Sequence, residues 1–349
     1  MIQQLYHRGF VPSRYVNDSE APWCLQAPML DTDWHSGRGG CEDDIIPQQQ
    51  PQDCSYIYQY RDITKGTPHN AVFTTSNHLW KNDSMVTYSF NDGNHIQHKK
   101  IEECMAIWTP YVNLQFTRVV SGGVVRISFS QHGFWTYAGQ HCKKVDPSQA
   151  TMNLGGVDPN TPSMDPYEKR CILHEVGHML GLLHEHQSPA RKTILTFKKK
   201  ATMQYFKQIC GWENDHTEQQ VLRACERHEV SSCSDFDKKS IMLYSIPSET
   251  NVQGIYIPEN DVLSDMDKAY MFLHYPRARP HPEAAEWSIS HALNIANVIG
   301  PKREEILRTT SPDRVRRLFI EWSAAEHLDG RSDSWFDSFA HLGKYLMRA

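Results

Sequence analysis

Apolar and polar positions alternate with a period of two in "MVTYSFN", where Val86, Tyr88 and Phe90 share one side, and again in "VVRISFS" with Val125, Ile127 and Phe129. Successive side chains of a pleated strand point to opposite faces, so each stretch predicts a half-buried strand. Between them Ile101, Cys104, Met105 and Trp108 recur at three- and four-residue steps, which is the apolar stripe of one helix. A strand, a crossover helix and a second strand predict parallel pairing with the helix packed on the sheet. "ATMNLGG" is a shorter alternating run (Met152, Leu154) stopped by Gly155 and Gly156, which predicts one more strand, near the sheet's edge.

The pattern then changes to helix. In "SMDPYEKRCILHEVGHMLG", Asp165 stands at the N-cap position, Pro166 at the first turn, Glu168 three residues after the cap and Gly181 at the stop. A further capped helix is predicted from Ser264 in "LSDMDKAYMFLHYP". Pro276, Pro280 and Pro282 then crowd "PRARPHPE", a linker composition that places a boundary near residue 277. Beyond it Ser311–Pro312 opens a helix with Val315, Leu318, Phe319 and Trp322 on one face, and Trp335, Phe336, Phe339 and Leu342 repeat the spacing. Residues 1–65 have little periodicity and much Gln, Pro, Asp and Gly, and read as a loosely ordered arm. The expected division is therefore an arm (1–65), an α+β core (66–277) and a small helical C-terminal extension (278–349).

Composition narrows the partners. A net charge of -5 offers no basic field for a polyanion, so nucleic acid is not an expected partner. No window approaches eighteen apolar residues, and the start "MIQQLYHRGFVPSRYVNDSEAPW" has no apolar signal region. Neither a membrane span nor export is predicted, and location inside the cell is the expectation from sequence. The nine cysteines contain no CxxC pair. Cys104 and Cys171 fall on apolar helix faces and read as buried thiols, while Cys210, Cys225 and Cys233 share one segment where pairing is open.

The chemistry is concentrated in "HEVGHMLGLLHEHQSP". Positions four apart share a helix face, so His174 and His178 can aim imidazoles at one point. Gly181 can take the positive φ that ends the helix, which lets His184 approach as a third ligand. Three nitrogens leave the fourth position of a tetrahedral zinc open, the mark of a catalytic site, and Glu175 beside His174 is placed to act as general base on a zinc-activated water. With 19 histidines, an HExxH arises by chance roughly 0.06 times in such a chain, and the added Gly181 and His184 reduce that to about two in ten thousand.

These residues (His174, Glu175, His178, Gly181, His184) form HExxHxxGxxH, and the chain resembles the metzincin zinc peptidases, within them the astacins. Glu185 after the third histidine and Ser240-Ile241-Met242-Leu243-Tyr244, a Met-turn of the form S-I-M-x-Y, extend the likeness over about residues 70–277. The resemblance implies a zincin-like catalytic domain: a twisted mixed sheet, an active-site helix and an irregular C-terminal part, with one zinc per chain on the three histidines. It also implies Met242 as the hydrophobic floor of the site, and Tyr244 as a releasable extra ligand that stabilises the oxyanion. Leu243 stands where family members usually carry His, and "HQSPAR" is closer to microbial relatives than to animal ones, so the animal preference for acidic substrate side chains does not carry over. Family members are mostly exported, which opposes the location read from the start of the chain.

Other residues were weighed beside these. His186 follows His184 too closely to aim at the same ion, and Glu185 has a plain structural reading. Met152, Asn153 and Leu154 are candidates to receive a peptide substrate as an added strand. Cys41, or a carboxylate at Asp43 or Asp44, is a candidate latch over the open zinc position. The expected function is a zinc-dependent endopeptidase acting on peptide or protein substrates. The alternative is a zinc-binding interaction protein that recruits a partner through its helical tail, and the intact Glu175 argues against it.

Overall fold

Asn94 and Gln97 form a reciprocal capping box that starts the first long helix, α1 (His95–Trp108), and the strand before it, β3 (Ser84–Phe90), leads into this crossover as expected. In this computed structural model, residues 24–26, 72–74, 76–191, 194–226 and 229–328 are described. The expectations for Cys41, Asp43 and Asp44, for the rest of the arm, and for Trp335, Phe336, Phe339 and Leu342 lie outside the described residues. The remaining strands are β1 (Cys24–Gln26), β2 (Val72–Thr74), β4 (Leu114–Arg118), β5 (Val125–Ser128), β6 (Phe134–Thr136), β7 (Met152–Leu154) and β8 (Val230–Cys233).

The main sheet has the order β1-β6-β7-β5-β3-β4. Parallel pairing of β3 with β5 (Tyr88↔Val125, Phe90↔Ile127) confirms the strand-helix-strand unit. On the other side of β3 lies β4, also parallel, from Ser84↔Leu114 to Tyr88↔Arg118. Two expectations are corrected. β5 is buried along its whole length, because Arg126 spends its guanidinium on the carbonyls of Val124, Val145, Asp146 and Gln149. β7 is internal: it pairs parallel with β5 (Ile127↔Met152) and antiparallel with β6 (Trp135↔Asn153). Met152, Asn153 and Leu154, all fully buried, therefore have no free edge to offer a peptide. The outer side of β6 carries β1 in parallel register, Leu25↔Trp135.

The second helix, α2 (Pro166–Leu180), packs with α1 in one apolar cluster that includes Ile101, Trp108, Ile172 and Val176. Its first turn is anchored by a buried ion pair: Lys100 Nζ lies 3.1 and 3.0 Å from the two carboxylate oxygens of Glu168. Glu168 also accepts the amides of Asp158 and Asp165, which satisfies the oxygens that burial would otherwise strand. After α2 regular structure thins to α3 (Lys199–Cys210) and the β2–β8 antiparallel pair. A separate apolar cluster of Leu195, Phe206, Trp212, Phe236, Leu243 and Ile257 holds this irregular part. The whole is an α+β fold with a mixed sheet, as expected.

Beyond a four-residue helical turn at Asn214–Thr217, four helices follow: α4 (Asp265–His274), α5 (Ile289–Ile295), α6 (Gly300–Arg308) and α7 (Pro312–Ser323). The stripe Val315, Leu318, Phe319, Trp322 is buried in the same cluster as Tyr270, Phe272 and Trp287, so the tail's apolar face is turned inward. Ser323 Oγ donates to the Cys233 carbonyl at 2.7 Å, stitching α7 to β8. Cys104 and Cys171 are buried thiols, as expected, each pushed up to about 12 by burial. Cys225 and Cys233 share a small buried cluster, and Cys210 sits apart against the apolar cluster of the irregular part.

Candidate metal centre

The site is built on the second half of α2. Asp165 accepts the Glu168 amide and Glu168 returns to the Asp165 amide, so the helix starts where the sequence signals place it. It ends at Gly181, whose φ of 105° lies in the left-handed region; a side chain there would be strained. Gly181 donates to the His178 carbonyl (2.8 Å) and Leu182 to that of Gly177 (2.9 Å), closing a tight reversal. His174 and His178 lie one turn apart on α2, and the reversal brings His184 to them. The three imidazoles each offer a nitrogen within 4.8 Å of the others, all buried.

Hydrogen bonds decide which nitrogens face inward. His174 Nδ1 is 2.9 Å from the Ile241 carbonyl and His178 Nδ1 is 2.8 Å from the Leu182 carbonyl. A carbonyl only accepts, so these Nδ1 atoms carry the protons and the Nε2 atoms present lone pairs. The Nε2 atoms of His174 and His178 are 3.0 Å apart, and those of His178 and His184 are 3.3 Å apart. Protonation does not relieve that crowding, because burial drives all three rings below their ordinary pKa, His178 to about 4. Ligands about 2.0–2.1 Å from a tetrahedral zinc stand roughly 3.3–3.4 Å from one another. The donor set therefore fits zinc, in both atom type and spacing.

The Met-turn supports this cluster from below. The Ile241 carbonyl that orients His174 belongs to it, and the Met242 carbonyl accepts the Glu185 amide (3.1 Å). Met242 is fully buried beneath Gly177, where an added Cβ would stand 2.5 Å from the sulfur. Gly177, inside the HExxH, drew no notice in the sequence; its signal was a glycine in a helix interior, which costs about 1 kcal/mol relative to alanine and so needs a packing reason. Asp267 of α4, likewise not anticipated, accepts Ser240 Oγ (2.7 Å) and the Ile241 amide (2.8 Å). Burial, then the nearby Asp237, raises the Asp267 carboxyl to about 6.

Glu175 is fully buried next to His174 on α2. The Tyr244 ring lies 4.6 Å from that of His184 and 6.2 Å from that of His174, centroid to centroid. His186 stacks on His184, ring centroids 5.0 Å apart, but commits its Nε2 to the Gln220 carbonyl at 2.8 Å. Glu185 is buried, accepts the Asp237 amide at 2.8 Å, and is pushed well above the usual carboxylate range by desolvation.

Three buried imidazoles on a helix and its reversal, beside a mixed sheet, are the arrangement of the astacin-like metzincins, whose fold this chain has and whose zinc-binding pattern His174, His178 and His184 fit. Among solved structures it is similar to myroilysin, with 29% identity and a TM-score of 0.54 over 58% of this chain and 98% of that one. A second myroilysin structure matches at 28% identity and a TM-score of 0.44, over 61% of this chain and 93% of that one. High choriolytic enzyme 1, a hatching enzyme zinc-protease from the medaka fish Oryzias latipes, matches at 15% and 0.41, over 57% of this chain and 95% of that one. No protein-family model and no curated relative matches the chain.

Proposed function

We propose that the chain is a zinc-dependent endopeptidase, with one zinc on His174, His178 and His184. The observation that carries the reading is the convergence of three buried, neutral imidazoles beside the buried side chain of Glu175. Zinc, when bound, supplies a Lewis acid that acidifies a water and polarises the substrate carbonyl. Glu175 takes the proton from the attacking water and delivers it to the leaving amine. Tyr244 donates a hydrogen bond to the carbonyl oxygen as it gains charge, and Met242 keeps the histidines in place through apolar packing against Gly177.

The substrate is a peptide or protein segment in extended form. In place of Met152–Leu154, the outer edge of β6 is its docking strand, main chain to main chain. β1 pairs with that edge, which supports the arm (1–65) as a competitor for the substrate's place and the source of latency. The catalytic unit spans 66–277 and the helical extension 278–349. No helix among the described residues is long and apolar enough to cross a membrane. The reading is tested with an internally quenched peptide: cleavage stops when a chelator removes metal and returns on adding zinc. Cleavage indifferent to chelation removes the metal from the reaction.

A further inference from the structure

The last four carbonyls of a helix lack intrahelical partners, and in α2 these belong to Gly177, His178, Met179 and Leu180. The Gly181 reversal satisfies the first two. The other two are taken by side chains from far along the chain: Trp80 Nε1 donates to the Met179 carbonyl at 2.8 Å, and Tyr275 OH donates to the Leu180 carbonyl at 2.7 Å. The two residues are joined, since the Trp80 amide donates to Tyr275 OH (3.3 Å). Arg316 of α7 holds both. Its guanidinium donates to the Trp80 carbonyl at 2.7 Å and lies 5.2 Å from the centre of the Tyr275 ring. Arg316 belongs to the 278–349 extension, and myroilysin aligns over nearly its whole length while spanning only 58% of this chain.

We infer that Arg316 is a positioning residue for the metal centre: through Trp80 and Tyr275 the C-terminal extension clamps the end of the histidine-bearing helix. Only Gly181, Leu182 and Leu183 separate the clamped Leu180 from His184. Within that span the Leu182 carbonyl orients His178. A displacement of Leu180 therefore moves one ligand and the hydrogen bond that aims another. A planar guanidinium can donate to the carbonyl and stack on the phenol ring together, which an ammonium does less well. The extension acts inward on the site; its apolar stripe is occupied by α4 and its neighbours.

The inference rests on reading the three histidines as zinc ligands, and its test has one arm that needs zinc and one that does not. Zinc release to a chelator is timed for wild type, Arg316→Ala, Arg316→Lys and Tyr275→Phe, well below each melting temperature. Amide exchange at Gly181 and Leu182 is measured on the zinc-free chains. Release about tenfold faster in Arg316→Ala and Tyr275→Phe is expected, the low end for lost outer partners of metal ligands. Faster exchange at those two amides accompanies it, and Arg316→Lys recovers part of both. Tyr275→Phe removes a single oxygen and keeps the test open should Arg316→Ala fail to fold. Wild-type release and exchange in both variants, with or without a lower melting temperature, overturns the clamp. A chain that holds no zinc at all sinks the peptidase reading, while exchange at Gly181 and Leu182 still decides whether the clamp exists.

Discussion

Gly177 shows how much of the site depends on single atoms. A methyl group there would meet the Met242 sulfur at 2.5 Å and Trp108 at 3.4 Å. Sulfur on a flexible side chain yields more readily than backbone, so Gly177→Ala is expected to cost about 1–3 kcal/mol by overpacking, read from denaturant midpoints, with weaker zinc retention. A midpoint raised by the roughly 1 kcal/mol that alanine gains over glycine in a helix interior would remove Met242 as the floor. The histidines carry a second expectation. Their folded pKa values lie below the ordinary value, His178 at about 4 and His186 at about 3. The unfolded chain therefore binds protons that the folded chain refuses, and stability is lost as pH falls from about 6.5 toward 4. Asp267, raised to about 6, and Glu185, raised well above the carboxylate range, work the other way, losing stability as pH rises, but the lowered histidines outnumber them, His174, His184 and His274 among them. Thermal melts of the zinc-free chain at pH 7 and pH 5 should show the lower midpoint at pH 5; a higher one would mean that the buried carboxyls dominate. HExxHxxGxxH was legible because its chemistry is encoded in local spacing. Gly177 and Asp267 were not, since what they touch lies 65 and 26 residues away in sequence.

Among elements, α2 was the most legible: a capping box, a proline in the first turn and a terminating glycine all agree with the observed bounds. β4 and β6 went unread although β7 is as short as β6: FWT sets two aromatic residues side by side, and LQFTR buries only Leu114. Missing β6 also misplaced the sheet's edge, because a strand's neighbours are set by topology and leave no local trace. The corrected edge makes its own prediction. With β1 lying along β6, removal of residues 1–65 should raise kcat/KM on an extended peptide severalfold, mostly through KM. Unchanged kinetics after truncation would show that the arm does not compete for the cleft.

For the whole molecule, the linker composition near 277 placed a boundary before a small helical unit, and the structure buries the apolar stripe of α7 from that unit in the cluster that also holds Leu79 to Leu182. The contacts responsible span 195 residues between Trp80 and Tyr275 and 236 between Trp80 and Arg316, beyond the reach of any periodicity. Metal and fold are coupled in the same body, since the ligands come from the core helix and its reversal. Free zinc at a hundred times its dissociation constant should add about 2.7 kcal/mol of stability, seen as a melting temperature that falls on chelation and recovers on adding zinc. A midpoint blind to zinc would show that the folded chain does not bind the ion in preference to the unfolded one. The most direct test of the central claim is digestion of denatured casein by the purified chain, with and without residues 1–65, beside Glu175→Ala, with bound zinc quantified in each. The account predicts cleavage by wild type, none by the variant, and about one zinc per chain in both. Zinc bound in both with no cleavage by wild type, even after the arm is removed, would contradict it.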